Sequence, residues 1–154
     1  MLRTAEEKDK RSWIKLNREF MEFEIQDDNL WNHIDKAKDE DLAEVFDEAL
    51  NKPEHITIFM IEDEGETVGF ANLMAIFSVW AEGLALIIDD LYISSAYQGK
   101  GLGRKTMEEI ENYARGKGYK RLQFQSEETN PGAKAFYTKL GYKPSDMSFY
   151  VRYL

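Results

Sequence analysis

Gly99, Gly101 and Gly103 place three glycines within five residues, directly after an apolar run, Leu84 to Ile93, that carries two adjacent carboxylates, Asp89 and Asp90. Backbone amides free of Cβ crowding at the start of a helix can converge on an anion, and the helix dipole favours the negative charge. Carboxylates can take up protons. A phosphate-bearing ligand and a proton transfer are therefore the chemistry these residues could serve together. The spacing excludes a Walker A loop, G-x-x-x-x-G-K-[ST], because Lys100 is followed by Gly101 and Gly103 by Arg104. The dinucleotide fingerprint G-x-G-x-x-G fails too, since Gly99 and Gly101 would require a glycine where Arg104 stands. A loop that merely caps a helix is the plain alternative, and three glycines are a costly choice for that role.

Such residues need a strand, a loop and a helix to position them. Met107, Ile110 and Ala114 lie on one face of a helix that Gly116 and Gly118 end, and Leu122 and Phe124 then alternate with Gln123 and Gln125 as a strand. Strand, loop, helix and strand form a βαβ unit, whose crossover makes strands 84–93 and 120–126 parallel. Asn130 and Pro131 suit the N-cap and first turn of a further helix, with Ala133, Phe136, Tyr137 and Leu140 along one face and Gly141 closing it. The closing SFYVRYL reads as a last aromatic strand.

Upstream, MLRTA suits an edge strand, and Trp13, Leu16, Phe20 and Phe23 recur at helical spacing as a core stripe. Asp27 and Asp28 supply a stop and a new N-cap. A second helical region then runs to Leu50, broken near residues 39–41 and ended by Asn51 and Pro53. Ile56 to Ile61, a turn around Gly65, and Thr67 to Trp80 make an antiparallel hairpin. The expected fold is α/β (α+β by some schemes): a mixed, mostly antiparallel sheet flanked by helices, as a single domain over residues 1–154.

Composition narrows the function. The chain has 154 residues, 43% of them hydrophobic and 32% charged, as in a soluble globular protein, and no apolar run long enough for a membrane span. A net charge of −9 argues against a nucleic-acid partner and suits a cationic substrate. With no cysteine there is no disulfide, thiolate metal site or cysteine nucleophile, and His33 and His55 lack the spacing of a metal pair, so no metal is expected. The start, MLRTAEEKDKR, has no signal-like apolar segment, and a cytoplasmic location is expected.

Two stretches together resemble the GNAT superfamily of acetyl-CoA-dependent N-acetyltransferases. ISSAYQGKGLG (93–103) fits the coenzyme A loop [RQ]-x-x-G-x-[GA] at Gln98, Gly101 and Gly103. NPGAKAFYTKLGY (130–142) fits N-x-x-A-x-x-[FY]-Y-x-x-x-G-[FY] at Asn130, Ala133, Phe136, Tyr137, Gly141 and Tyr142. The element order matches as well, so the resemblance covers essentially the whole chain. Ser95 stands where many members have proline, which should loosen the loop entry, and Gln98 replaces the commoner arginine.

The resemblance implies acetyl-CoA as co-substrate, its pyrophosphate held by backbone amides from Gln98 through Gly99, Lys100, Gly101, Leu102 and Gly103 to Arg104. Leu91 and Ile93, flanking Tyr92, would pair by main chain with pantetheine, which requires strands 84–93 and 120–126 to splay. Asn130, Ala133, Lys134 and Phe136 would border the cofactor. Tyr137 would lie by its sulfur as general acid, a role that suits a phenol with an ordinary pKa of about 10.

An amine of pKa about 10.4 is neutral in only about one molecule in 10³ at pH 7, a handicap of about 4–5 kcal/mol, so a base is expected. The run IDDLYI resembles that of polyamine-acetylating members with an acidic residue at this position, and the resemblance favours Asp89, acting through water, with Asp90 the alternative; the two point to opposite strand faces unless a bulge intervenes. Equally open is a structural role for both. The resemblance implies an acceptor pocket formed by the loop around residues 25–32, which makes Asp27, Asp28 and Trp31 candidate acceptor contacts. Acetyl transfer in a ternary complex to a small cationic amine (polyamine, aminoglycoside or amino-acid type) is the expected function. The alternatives are a protein N-terminal or lysine acetyltransferase and a non-catalytic acyl-CoA sensor. A homodimer is expected, with Phe149 to Tyr153 a segment that could pair between copies.

Overall fold

β-branched and aromatic segments build a five-stranded sheet in sequence order: β1 (Leu2–Thr4), β2 (Ile56–Asp63), β3 (Glu66–Ser78), β4 (Gly83–Ile93) and β5 (Arg121–Phe124). The computed structural model describes residues 1–24, 37–126 and 131–154. They form two compact units, Met1–Phe124 and Gln125–Leu154.

In the first unit β1 to β4 are antiparallel and β4 to β5 is parallel. The β2–β3 connection is a two-residue turn in which Glu64 (φ 49°) and Gly65 (φ 88°) are both left-handed, the geometry whose twist matches paired strands. Alternation along the strands sorts side chains to two faces. On one, Ile58, Met60, Phe70 and Tyr92 form a buried cluster with Trp13 and Leu16 of α1 (Lys10–Glu24) and Leu42 and Phe46 of α2 (Asp39–Leu50). On the other, Phe59 meets Tyr113 edge to face, their ring centroids 5.0 Å apart; Tyr113 belongs to α3 (Leu102–Gly116), which buries Met107, Ile110 and Ala114.

Charge fixes the sheet's outer edge. Arg3 on β1 forks onto both carboxylate oxygens of Asp9, at 2.6 and 2.7 Å, and its Nε donates to Glu62 on β2 at 2.5 Å. Asp9 is buried, and its hydrogen bonds to Arg3 hold its carboxyl below the usual range. α2 opens on Asp39, Glu40 and Asp41, which suit the positive end of its dipole, and the Asp41 carboxylate accepts from the Lys38 amide at 2.7 Å.

The second unit carries α4 (Pro131–Lys139), after which Gly141 turns left-handed at φ 96° and the Tyr142 amide returns to the Tyr137 carbonyl at 3.1 Å. One expected element does not form. Residues 142–154 take no regular secondary structure, and the SFYVRYL stretch is not a strand. Alternation prepares a segment for a sheet, but a ladder neighbour must supply its hydrogen bonds.

Gly69 on β3 lies opposite Ile61 of β2 and Ile93 of β4, and a Cβ there would sit 2.3 Å from the Tyr92 carbonyl oxygen. Gly69→Ala must push β3 and β4 apart. It is expected to cost about 3 kcal/mol, the upper end of overpacking penalties, read as a lower urea midpoint at unchanged slope. A midpoint equal to wild type would show that the two strands do not approach so closely.

Candidate active site

The parallel ladder runs from Ala85 opposite Arg121 to Ile88 opposite Phe124, while β4 continues to Ile93. The splay implied by the sequence is thus present: residues 89–93 extend past the last β5 partner. The Ser94 amide donates to the Val68 carbonyl on β3 at 2.9 Å, and Tyr92 is paired with Phe70. Because antiparallel bonding alternates along a strand, Leu91 and Ile93 turn their main-chain groups away from β3, toward the open edge. Gln98 corroborates this orientation, since its side-chain amide donates to the Ile93 carbonyl at 2.8 Å and so ties the loop to the strand end.

Tyr92 is committed elsewhere. Its ring lies in the core against Phe20 and Phe70, its hydroxyl is 3.5 Å from Glu19 Oε2, and its main chain faces β3. Burial and then the Glu19 charge push the phenol's pKa up. Both its ring and its backbone are engaged within the fold.

The two aspartates separate at a bulge. Asn72 pairs with Asp90 and Leu73 with Ile88, so Asp89 is the extra residue on β4. Asp90 accepts from the Asn72 side-chain amide at 2.7 Å, and Asn72 Oδ1 in turn accepts from the Trp13 indole N–H at 3.2 Å. Trp13 and Asn72 are both buried, so this chain satisfies polar groups that would otherwise be costly. Asp89 reaches solvent, yet desolvation by the surrounding protein raises its pKa above the ordinary carboxylate value.

Beyond the strand, residues 95–97 form a short 3₁₀ turn, and Gly99 and Gly101 take φ of 76° and 81°. No atom stands within 4 Å of where their Cβ atoms would be, so backbone conformation rather than space calls for glycine here. The Gln98 N–H donates to the Ser95 carbonyl at 3.3 Å. Among the described residues, the amides of Gly99, Lys100, Gly101, Leu102, Gly103 and Arg104 donate to no backbone carbonyl, and the first helical bond of α3 closes at Lys105. The first turn of α3 has no acidic residue and carries Arg104 and Lys105, against the dipole's preference. Lys100 sits 4.7 Å from the Tyr97 ring centroid. Open amides under basic side chains fit an anion, as the pyrophosphate of coenzyme A requires.

In the second unit, Tyr137 is half-buried and stacks edge to face with Phe136 at 5.1 Å and with Tyr142 at 6.2 Å. Ala133 is half-buried and Lys134 exposed, the latter's carbonyl accepting from Thr138 at 2.8 Å. Asn130, Asp27, Asp28 and Trp31 lie outside the described residues. No group of three or more metal-ligating side chains occurs among the described residues, and no described helix is long and apolar enough to cross a membrane. A cavity of about 300 Å³ lined by Ser12, Lys15, Leu16 and residues 65–67 contains neither aspartate nor any cradle residue.

A family model for the acetyltransferase (GNAT) family matches residues 12–142. The chain belongs to the GNAT acetyltransferase family. It is 31% identical over 108 residues to the uncharacterized N-acetyltransferase YhfO of Bacillus subtilis (strain 168), covering 70% of this chain and 72% of that protein. It is 29% identical over 90 residues to a D-amino-acid N-acetyltransferase of Saccharomyces cerevisiae, covering 58% of this chain and 55% of that protein. A possible acetyltransferase from Clostridium difficile 630 shares the fold with a TM-score of 0.81 and 18% identity, covering 100% of this chain and 97% of that one. As a GNAT protein the chain is an acetyltransferase, and its mixed sheet with flanking helices is the GNAT fold.

Lys105 and Asn72 were not among the candidates from the sequence, and Trp13 was read there only as core. Lys105 had a local signal, as a basic residue in a helical first turn. Asn72 and the link from Trp13 to Asp90 had none, because only strand register and the packing of α1 bring them together.

The raised pKa of Asp89 sets a pH dependence. A folded-state carboxyl with a raised pKa holds its proton longer than in the unfolded chain, so stability falls as pH rises from the unfolded value of about 3.9 through the folded one. Asp89→Asn removes that loss. The variant is expected to resist urea better than wild type at pH 7 and to lose the advantage below about pH 3.9. A difference independent of pH would show that Asp89 is fully hydrated.

Proposed function

We propose that this protein transfers an acetyl group from acetyl-CoA to the amine of a small cationic molecule, of polyamine, aminoglycoside or amino-acid type, within one N-acetyltransferase domain. The observation that carries the reading is the run of amides from Gly99 to Arg104 that donate to no backbone carbonyl among the described residues, just past the stretch of β4 that β5 does not pair. Acetyl-CoA supplies an acetyl group already activated as a thioester. The amides and basic side chains of residues 99–105 hold its pyrophosphate, and the outward main-chain groups of Leu91 and Ile93 line its pantetheine arm. With the Ile93 carbonyl bonded to Gln98, Leu91 offers both of its groups and Ile93 its amide. The Leu91 amide polarises the carbonyl under attack.

Asp89 takes the proton from the acceptor ammonium, through water. Desolvation favours this role, since a carboxylate of raised pKa is a stronger base than an ordinary one. Asp90, already accepting from Asn72, anchors the bulge that presents Asp89. Tyr137 protonates the departing thiolate. Asp27, Asp28 and Trp31 contact the acceptor, and the net charge of −9 draws a cation toward it. The acceptor of the yeast relative, a D-amino acid, belongs to one of these classes.

Incubating the protein with acetyl-CoA and a panel of amines, with detection of released thiol, tests this. Turnover of at least one small cationic amine is expected, and in that assay Tyr137→Phe should lower kcat by about 10²–10⁴ while coenzyme A still binds. Turnover confined to peptide amines would replace the acceptor class, and undiminished kcat in the variant would remove the tyrosine from the mechanism. Tight coenzyme A binding without any turnover would make the protein a sensor.

The cradle is tested apart from chemistry. Gly101→Val places a β-branched residue at φ 81° and must reshape the loop. Coenzyme A affinity measured by calorimetry is expected to fall at least about tenfold, and an unaltered Kd would move the pyrophosphate elsewhere.

A further inference from the structure

The β3–β4 connection stands clear of the strands on either side of it. β2 begins with Ile56 opposite Met74 and β5 with Arg121 opposite Ala85, while β3 and β4 stay paired out to Ser78 and Gly83. A two-stranded ribbon ending in a 3₁₀ turn, Val79–Ala81, therefore projects from the sheet. What it projects is apolar: Phe77 is 73% exposed, Val79 79% and Trp80 94%. Phe77 and Leu84, also exposed, are cross-strand partners, so their side chains lie together on one face. Farther in on that face of β3, Ala71 and Leu73 are buried, and Phe77 continues the row beyond its cover. Scattered exposed apolar residues are ordinary, but a contiguous patch at the end of a protrusion marks a contact surface.

The protrusion is held in shape. Ser78 Oγ accepts from the Ala81 amide at 3.3 Å and from Arg121 Nη2 at 3.1 Å, and the Glu82 amide closes on the Val79 carbonyl at 3.1 Å. A protein partner would have to be concave to take a convex tip, whereas lipid yields around it. The headgroup region of a bilayer also favours the amphipathic indole ring that leads here.

Charge around the tip selects the kind of lipid. The Lys120 amide donates to the Leu84 carbonyl at 2.8 Å, and its stem packs over Gly83, where a Cβ would fall 3.1 Å from Lys120 Cγ. Lys117, at the end of α3, lies three residues earlier, and both lysines are exposed. Against them, and the half-buried Arg121, residues 76–84 carry a single acidic side chain, Glu82. The net charge of −9 does not decide the matter, because screening confines exposed charges to about 8–10 Å at physiological salt. A bilayer that touches the tip meets the tip's own charges first.

We propose that the β3–β4 tip seats this protein on an anionic lipid surface, Trp80 and Val79 entering the headgroup region, Phe77 and Leu84 following them, and Lys117 and Lys120 meeting lipid phosphates. β4 runs 11 residues from Gly83 at the tip to Ile93, roughly 35 Å of strand, so residues 99–104 follow from the end of β4 that is remote from the lipid. The inference is independent of the acetyl-transfer reading, because its test follows lipid binding rather than turnover.

Flotation of the full chain with vesicles tests it. Vesicles of phosphatidylcholine mixed with phosphatidylglycerol, in about 0.1 M salt, should carry the protein upward; phosphatidylcholine alone, or about 1 M salt, should carry at least about tenfold less. Tryptophan emission should move to shorter wavelength on binding, and Trp80→Ser should abolish that shift and weaken binding at least about tenfold. Val79→Ser, and separately Lys117→Glu combined with Lys120→Glu, should each weaken binding about tenfold, all at exposed positions that folding does not need. A protein that stays off anionic vesicles overturns the proposal, as does equal binding to neutral ones. Binding that survives Trp80→Ser or the lysine pair, or that is lost only when Phe149 and Tyr150 are changed, overturns it too. A shift of Trp80 emission that follows protein concentration without lipid would assign the tip to a protein contact and overturn it equally.

Discussion

Backbone hydrogen bonding along β4 is the constraint on which the site depends. A strand flanked on both sides has no main-chain groups to offer, and an open edge offers them to any extended chain that fits. Here the ladder to β5 stops at Ile88 while the ladder to β3 continues to Ile93, so among the described residues this stretch is held by a strand on one side and not paired by β5 on the other. The crossover through α3 makes this possible. Because α3 begins only after the loop at Gly101, its N-terminal amides lie just beyond the open edge in the chain. One device opens an edge, and the next places past its end the amides proposed to hold an anion.

The bulge at Asp89 adds a second consequence of register. Without the extra residue, Asp89 and Asp90 would alternate between faces and the polar chain from Trp13 would meet whichever one happened to pair with Asn72. The shift gives them different surroundings: Asp90 is bonded to a buried amide whose own orientation is set by an indole N–H, and Asp89 is left at the surface with a desolvated carboxyl. Leaving a carboxylate partly desolvated works against stability, and a fold carries such a group at low cost only where neighbouring polar groups are satisfied. Asp90, Asn72 and Trp13 meet that condition.

Much of this was legible in the residues. Glycines that require positive φ, a long apolar run and helical stripes such as Met107, Ile110 and Ala114 act over short sequence distances, so the βαβ unit and the meander could be read directly. Tyr92 shows where local reading ends: strand alternation and the aromatic rings of α1 and β3 decide where its side chain points. Asn72 has no local signature at all, since its meaning comes from a register partner eighteen positions away. The closing SFYVRYL failed for the opposite reason. Its local pattern is strong, and a strand is not a local object.

Charge is arranged on two scales that pull in different directions. Across the chain acidic residues outnumber basic ones by nine, which sets a field that repels anions at long range. At the α3 terminus Lys100, Arg104 and Lys105 gather without an acidic residue in the first helical turn, and one of them, Arg104, reaches Glu108 only at 4.0 Å. Because screening confines exposed charges to about 8–10 Å at physiological salt, the local cluster governs an anion once it arrives, while the wider field governs what approaches from a distance. The proposed transfer from an anionic donor to a cationic acceptor would use both properties on one surface. With the basic residues beside the open amides and the acidic excess elsewhere, the two proposed ligands would be drawn by different parts of the same field.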